Sequence, residues 1–181
     1  MEQREGYKKT KIGWIPEDWR LDKMKKFSTL ITKGTTPTTL GFSYQDSGIN
    51  FVKIESIDSF GQFIPKLFAH ISEDANFALK RSILHEHDLL FSIAGALGRV
   101  AIVNKSILPA NTNQALAIIR LNDSRDISRN YLMVYLKSQI IKDHIQKISV
   151  QSAQANVSLN DVNNFPIPLP PLPEQQKIAS I

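Results

Sequence analysis

His85, Glu86, His87 and Asp88 are the one place in this sequence where metal-ligating and proton-transferring side chains crowd together. Imidazoles and carboxylates hold divalent ions or move protons. In extended backbone His85 and His87 share a face, but a third convergent ligand is not evident. The same residues read as a polar turn ahead of the apolar run 89–93, so no metal is assigned. A second group is Gly95, Gly98 and Arg99 in SIAGALGRVAIV, residues 92–103. Such glycines let a backbone approach a phosphate beside the guanidinium, or simply let the chain reverse between two strands. Ser92 and Arg99 could then reach a phosphate or a base edge. The third group is amides: Asn111 and Asn113 can offer adenine the donor and acceptor it matches in the major groove, whereas Gln114, next to an apolar run, is expected as a buried structural amide. Gln151, Ser152, Gln154 and Asn156 fall in an uncharged polar stretch, 149–156, expected as a loop that is either a reading surface or a linker. Lys33, Thr35, Thr36 and Lys53 complete the surface, the lysines aimed at phosphates or merely solvated.

Other chemistries lack their residues. An amino-methyltransferase needs an Asn-Pro-Pro-aromatic loop, and the nearest match is Leu169, Pro170, Pro171, Leu172, without amide or aromatic ring. No spacing ending in Gly-Lys-Ser/Thr cradles a nucleotide, and hydrolytic motifs are missing, so neither an enzyme activity nor a cofactor is assigned. The absence of cysteine removes disulfides, thiolate nucleophiles and cysteine-ligated metals, and suits a reducing cytoplasm. No signal pattern opens the chain, and no apolar run approaches the ~20 residues of a membrane span. A cytoplasmic location without a membrane follows as the expectation. With 22 Lys and Arg against 17 Asp and Glu the formal charge is +5, a tilt that suits a polyanionic partner or a solvated surface.

The elements that must position these side chains fit the 181 residues of one ordinary domain. The opening through Lys11 is polar and loose, with Lys8, Lys9 and Lys11 a solvated tail or a phosphate contact, and 12–19 is an extended arm pinned by Trp14 and Trp19. A short strand or helix follows, and 33–39, KGTTPTT, is a loop in which Gly34 turns freely. Strand-length apolar runs occupy 49–54, 67–71, 89–93, 99–103 and 115–121, and Ser72 with Glu73 and Asp74 starts a short helix to about Arg81. One long helix is predicted over 129–148, capped by Ser128. Prolines 166, 168, 170, 171 and 173 exclude helix and any central strand before a helix over 174–181. The fold class is α+β, with a mixed, mainly antiparallel short-stranded sheet and packed helices.

Fragments in order carry a resemblance: IGWIPEDWRL (12–21), GTTP (34–37), GINFVKIESI (48–57), DLLFSIAGALGRVAIV (88–103) followed by NTNQALAIIRL (111–121), and SLNDVNNFPIPLPPLPEQQKIASI (158–181). Together they resemble the DNA target recognition domain of type I restriction-modification specificity subunits. The resemblance implies a domain over 1–165 that reads one half of a bipartite site on double-stranded DNA, and a Pro-rich junction over 166–181 that starts a long spacer helix. It also implies partners on other chains, methyltransferase subunits that modify adenine with S-adenosylmethionine and an ATP-driven restriction subunit, and a second recognition domain, carried by a full specificity subunit or by a paired second copy. Glu174, Gln175, Lys177, Ile178 and Ile181 are the expected subunit contacts, Ile178 and Ile181 beginning an apolar seam. The alternative is a docking or assembly module without direct base readout.

Overall fold

The computed structural model describes residues 4–123, 126–152 and 156–180. The chain opens on a hairpin, β1 (Tyr7–Thr10) and β2 (Gly13–Pro16), then forms β3 (Arg20–Lys23), β4 (Ser28–Lys33), β5 (Ile49–Val52) and β6 (Ala69–Ile71). Helix α1 (Glu73–Ala78) precedes β7 (Leu89–Ser92), β8 (Val100–Ile102), β9 (Ala110–Thr112) and β10 (Leu116–Leu121). Last come α2 (Arg129–Lys137), α3 (Gln139–Ser152), α4 (Leu159–Asn163), β11 (Pro166–Leu169) and α5 (Leu172–Ala179). The class is α+β as expected, and β5 with β9 is the one parallel pairing among the described residues.

Strands β4, β10, β7 and β8 lie in that order as a central sheet with both faces buried. Successive side chains alternate faces. Phe91 and Ile119 pack with Leu132, Leu136 and Ile141 of the helical layer, while Leu90 and Ile118 pack with Val52 beneath the second sheet, β6-β5-β9. Burial on both faces is why β7 and β10 are continuous apolar runs. Ser72 Oγ caps α1 by accepting from the Ala75 N–H at 3.1 Å, as its position predicts.

Four expectations change. The opening is not loose: residues 7–10 pair with 13–16, and Gly13, at φ +107, supplies the turn conformation L side chains avoid. The helix predicted over 129–148 is two helices, because Ser138 is extended (ψ 160) and ends α2. Before the break Tyr131 and Tyr135 bond to carbonyls of β11, and after it Ile141 and Ile145 pack into the same core. Ser128 makes no side-chain cap; its N–H donates to Gln175 Oε1 at 2.8 Å. Finally, α3 runs to Ser152, since 149–152 holds neither Gly nor Pro to stop it, and Gln151 and Ser152 are helical instead of looped.

The proline-rich stretch supplies an outer strand. β11 pairs with β3 alone, where missing proline N–H groups cost little. Its carbonyls are used inward: Tyr131 Oη donates to Pro168 O at 2.7 Å and Tyr135 Oη to Pro166 O. Burial pushes both phenols above their ordinary value. Gln175 is fully buried, its Nε2 donating to Asp126 O at 2.7 Å and Pro170 O at 3.0 Å. Among the described residues no helix is long and apolar enough to cross a membrane.

Candidate nucleic-acid interface

Strand direction gathers the loops. In the antiparallel order β4-β10-β7-β8, the end of β4 (Lys33), the start of β10 (Leu116), the end of β7 (Ser92) and the start of β8 (Val100) share one edge of the sheet. β5 and β9 run parallel and end there too, at Val52 and Thr112, because only residues 113–115 separate β9 from β10. Loops at 34–40, 53–56, 93–99, 113–115 and 156–157 therefore converge. The Gly34 N–H donates to Asn113 O at 3.1 Å, Arg99 Nη1 donates to Ile54 O at 3.1 Å, and the Val157 N–H donates to Ile93 O at 2.9 Å.

The outer residues of this rim are free to meet a partner. Lys33, Gln114 and Asn156 are exposed. Thr36 Oγ1 donates to Gln114 Oε1 at 2.6 Å, and Arg81 Nη2 donates to Thr35 Oγ1 at 3.2 Å. An amide oxygen has two lone pairs, so Thr36 orients Gln114 without exhausting its acceptor, and Nε2 has no protein partner among the described residues. That is the donor and acceptor pair adenine requires. Lys53 Nζ stands 4.7 Å from the Tyr44 ring centroid and 3.9 Å from Glu55 Oε1, a partly exposed cation held in place. Burial, then the Glu55 charge, raises the Tyr44 phenol.

The inner residues are structural. Ser92 is fully buried, donating to Ala96 O at 2.6 Å and accepting from the Arg99 N–H at 2.7 Å. Asn111 is also fully buried, donating to Asn76 Oδ1 at 2.9 Å and Leu79 O at 3.2 Å. Neither reaches a partner, so the base or phosphate roles expected of them are corrected to scaffold roles. Arg99 gives Nη1 to Ile54 O and Ile57 O (3.1 and 2.7 Å), which ties the 93–99 turn to the 53–57 turn. Gly95 (φ +71) and Gly98 (φ +80) reverse the chain between β7 and β8. Asn113, half-buried, accepts the Ala115 N–H at 3.1 Å. Gln151 and Ser152 lie at the end of α3, and Gln154 and Ile181 lie outside the described residues.

Two further positions differ from the sequence expectation, and Asp88 finds its partners inside the fold. Gln114 is exposed at the 113–115 turn, not buried as its apolar neighbours suggested. Gly34 serves close approach instead of turning: a Cβ there would sit 1.8 Å from Thr112 O. Asp88 is no ligand, since Arg120 grips both its oxygens at 2.8 Å and the His85 N–H donates to it at 2.8 Å. Arg81 and Tyr44 were missed, Arg81 because it ends a local helix and Tyr44 because nothing in sequence pairs it with Lys53. Of the terminal contacts, Gln175 is turned inward, Glu174 accepts from Trp19 Nε1 at 3.1 Å, Ile178 is half-buried and Lys177 is exposed.

The structure is a three-layer α+β scaffold that presents polar loops at one sheet edge, and known proteins share this fold. The fold matches a chain described under "Structural basis underlying complex assembly and conformational transition of the type I R-M system" with a TM-score of 0.67 at 22% identity, covering 92% of this chain and 37% of that one. It matches the HsdS subunit from Thermoanaerobacter tengcongensis with a TM-score of 0.64 at 22% identity, with the same coverage. Residues 16–181 match the model of the type I restriction modification DNA specificity domain, and the chain belongs to that family. The type I restriction enzyme EcoBI specificity subunit of Escherichia coli is 29% identical over 169 residues, 91% of this chain and 34% of that protein. The putative type I restriction enzyme MjaX specificity subunit of Methanocaldococcus jannaschii is 29% identical over 185 residues, 99% of this chain and 42% of that protein. The chain thus spans between a third and about two fifths of the curated relatives it matches.

Proposed function

We propose that this chain reads one half of a bipartite sequence on double-stranded DNA, and that methylation or cleavage is performed by methyltransferase and restriction subunits on other chains. The observation that carries the reading is the convergence of five loops from two sheets and the helical layer on one edge, with Lys33, Thr36, Lys53, Gln114 and Asn156 at their outer side. Lysines on phosphates would supply salt-sensitive affinity, and amides and hydroxyls at base edges would supply choice of sequence. A second recognition domain would read the other half-site. The test is to sequence modified sites in cells whose system carries this domain or a related domain in its place. One half of the modified sequence is expected to change with the exchange, and an unchanged sequence would sink the reading.

The terminal segment favours a second role, contact with a methyltransferase subunit. Ile178 lines an apolar groove with Trp14, Trp19, Tyr131, Val134 and Pro168, beside exposed Lys177. Ile178→Asp is expected to weaken co-purification of that subunit and to leave the sequence preference of the bound fraction intact. Loss of preference with normal co-purification would reverse the assignment.

A further inference from the structure

The loose polar opening expected from sequence is instead a hairpin whose turn faces α3, and the two enclose a cavity. Lys11, Ile12 and Gly13 come from the turn between β1 and β2, and Ile140, Asp143, His144 and Lys147 come from α3. The cavity has a volume of about 250 Å³, room for a tetrahedral oxyanion with some of its water. None of its residues belongs to the loop edge described above.

The lining is cationic on both walls. Lys11 and Lys147 are exposed and have no ion-pair partner among the described residues. Asp143, the one carboxylate in the lining, is engaged by Gln139 Nε2 at 2.7 Å, which turns that amide's positive end toward it. His144 is half-buried with its ring edge-on to Phe165, 5.8 Å between centroids. No hydrogen bond from its ring nitrogens to protein is present among the described residues. Two ammonium groups and an imidazole with unused nitrogens outnumber the single carboxylate of Asp143 in this lining, an arrangement that accepts an oxyanion. The backbone of Gly13, at φ +107 with nothing within 4 Å of where a Cβ would stand, leaves the mouth open.

We propose that this cavity is a binding site for a phosphate group, held by Lys11 and Lys147 from opposite walls with His144 donating the third hydrogen bond. The groups that face His144 make its protonation part of the binding. Burial, then Lys11 and Lys147, lower its pKa, while Asp161 of α4 opposes them. Asp161 itself accepts from Ser158 Oγ at 2.6 Å. An anion seated between the lysines cancels their field at the imidazole, so the ring takes up a proton as phosphate enters. The phosphate could belong to the DNA backbone, which would give the domain an anchor outside its loop edge, or to a small free phosphate.

The experiment is an NMR titration of the intact chain, with the His144 imidazole assigned from the His144→Gln spectrum. Its pKa is followed in chloride, in inorganic phosphate and in sulfate at matched ionic strength, sulfate having no titration of its own in the range. The expected result is a rise in the His144 pKa with either oxyanion and sulfate affinity about tenfold tighter at low than at high pH for each unit of that rise. Lys11→Ala with Lys147→Ala abolishes the response while the rest of the spectrum is unchanged. A short duplex of arbitrary sequence forms the second arm. If the duplex raises the His144 pKa in the wild type and not in the double variant, the backbone is the source; if only free phosphate does, a small phosphate is. A His144 that responds to neither beyond the chloride control, or that responds equally in the double variant, overturns the site. Because the duplex has no chosen sequence, either outcome leaves the base-reading assignment of the loop edge standing.

Discussion

The two ends of the central sheet use similar side chains in opposite ways. At the loop edge the outer residues Lys33, Gln114 and Asn156 face solvent, and the bonds that exist, such as Thr36 to Gln114, orient a side chain and leave it donors or acceptors. At the far end, Asp88 has a 1% exposed side chain enclosed by Arg120 and the His85 amide, and beyond β10 Gln175 is closed by three bonds. The lesson is that residue type marks capacity, and only the fold decides whether a partner lies inside the molecule or outside it. The far end encloses its polar groups within the fold, and the loop edge, to which we assign recognition, leaves them to solvent.

The sharpest way to break that division is to remove one half of the enclosed pair. Asp88→Ala leaves Arg120 half-buried without its partner and should cost about 3 kcal/mol, read as a drop in the urea midpoint. The fraction still folded should bind DNA with unchanged sequence preference. Gly34→Ala tests the opposite end. Its Cβ would collide with the Thr112 carbonyl, and separating the 34–40 loop from the 113–115 turn should cost about 2 kcal/mol and also lower DNA affinity. Stability loss without any change in binding would place recognition elsewhere.

A smaller effect concerns Tyr131 and Tyr135. Burial raises both phenols above the ordinary value of 10.0, so the folded state holds their protons more tightly than the unfolded chain does. The stability this contributes is complete below pH 10 and is lost progressively as pH rises beyond it. Denaturant midpoints should fall between pH 10 and pH 12, and Tyr131→Phe should flatten that fall. The smallest effect is expected at Lys33, proposed to meet a phosphate: Lys33→Ala should leave stability unchanged and lower the salt slope of DNA binding by ~1.

Much of this fold was legible in sequence because its strongest signals are local. The runs at 89–93 and 115–121 read as strands since each is long, apolar and bounded by turn residues, and Ser72 announced α1 through its own cap. The break at Ser138 was not legible: the helices on either side of it pack into one core with β11 and the central sheet, a tertiary demand on a stretch whose helical periodicity continues. The hairpin over 7–16 was hidden because Lys8, Lys9 and Lys11 look like a solvated tail, whereas the pairing depends on the Gly13 turn. For the candidate site, several of the segments chosen from sequence meet at one sheet edge, but burial of the individual side chains was not legible. Ser92 and Asn111 sit in strands β7 and β9 beside the candidate loops and bond within the fold, while Gln114 and Arg81 emerge at the rim, since depth below a surface depends on neighbours far away in the chain.

The most direct test of the loop edge acts on sequence choice in the assembled system. Thr36→Ala and Gln114→Ala would be introduced together, and modified sites sequenced in cells that carry the altered subunit and its partners. The expected result is relaxed base preference at one or two positions within a single half-site, with the other half-site retained. A modified sequence with wild-type stringency at every position, from a subunit that still assembles, would contradict the assignment of this edge to base reading.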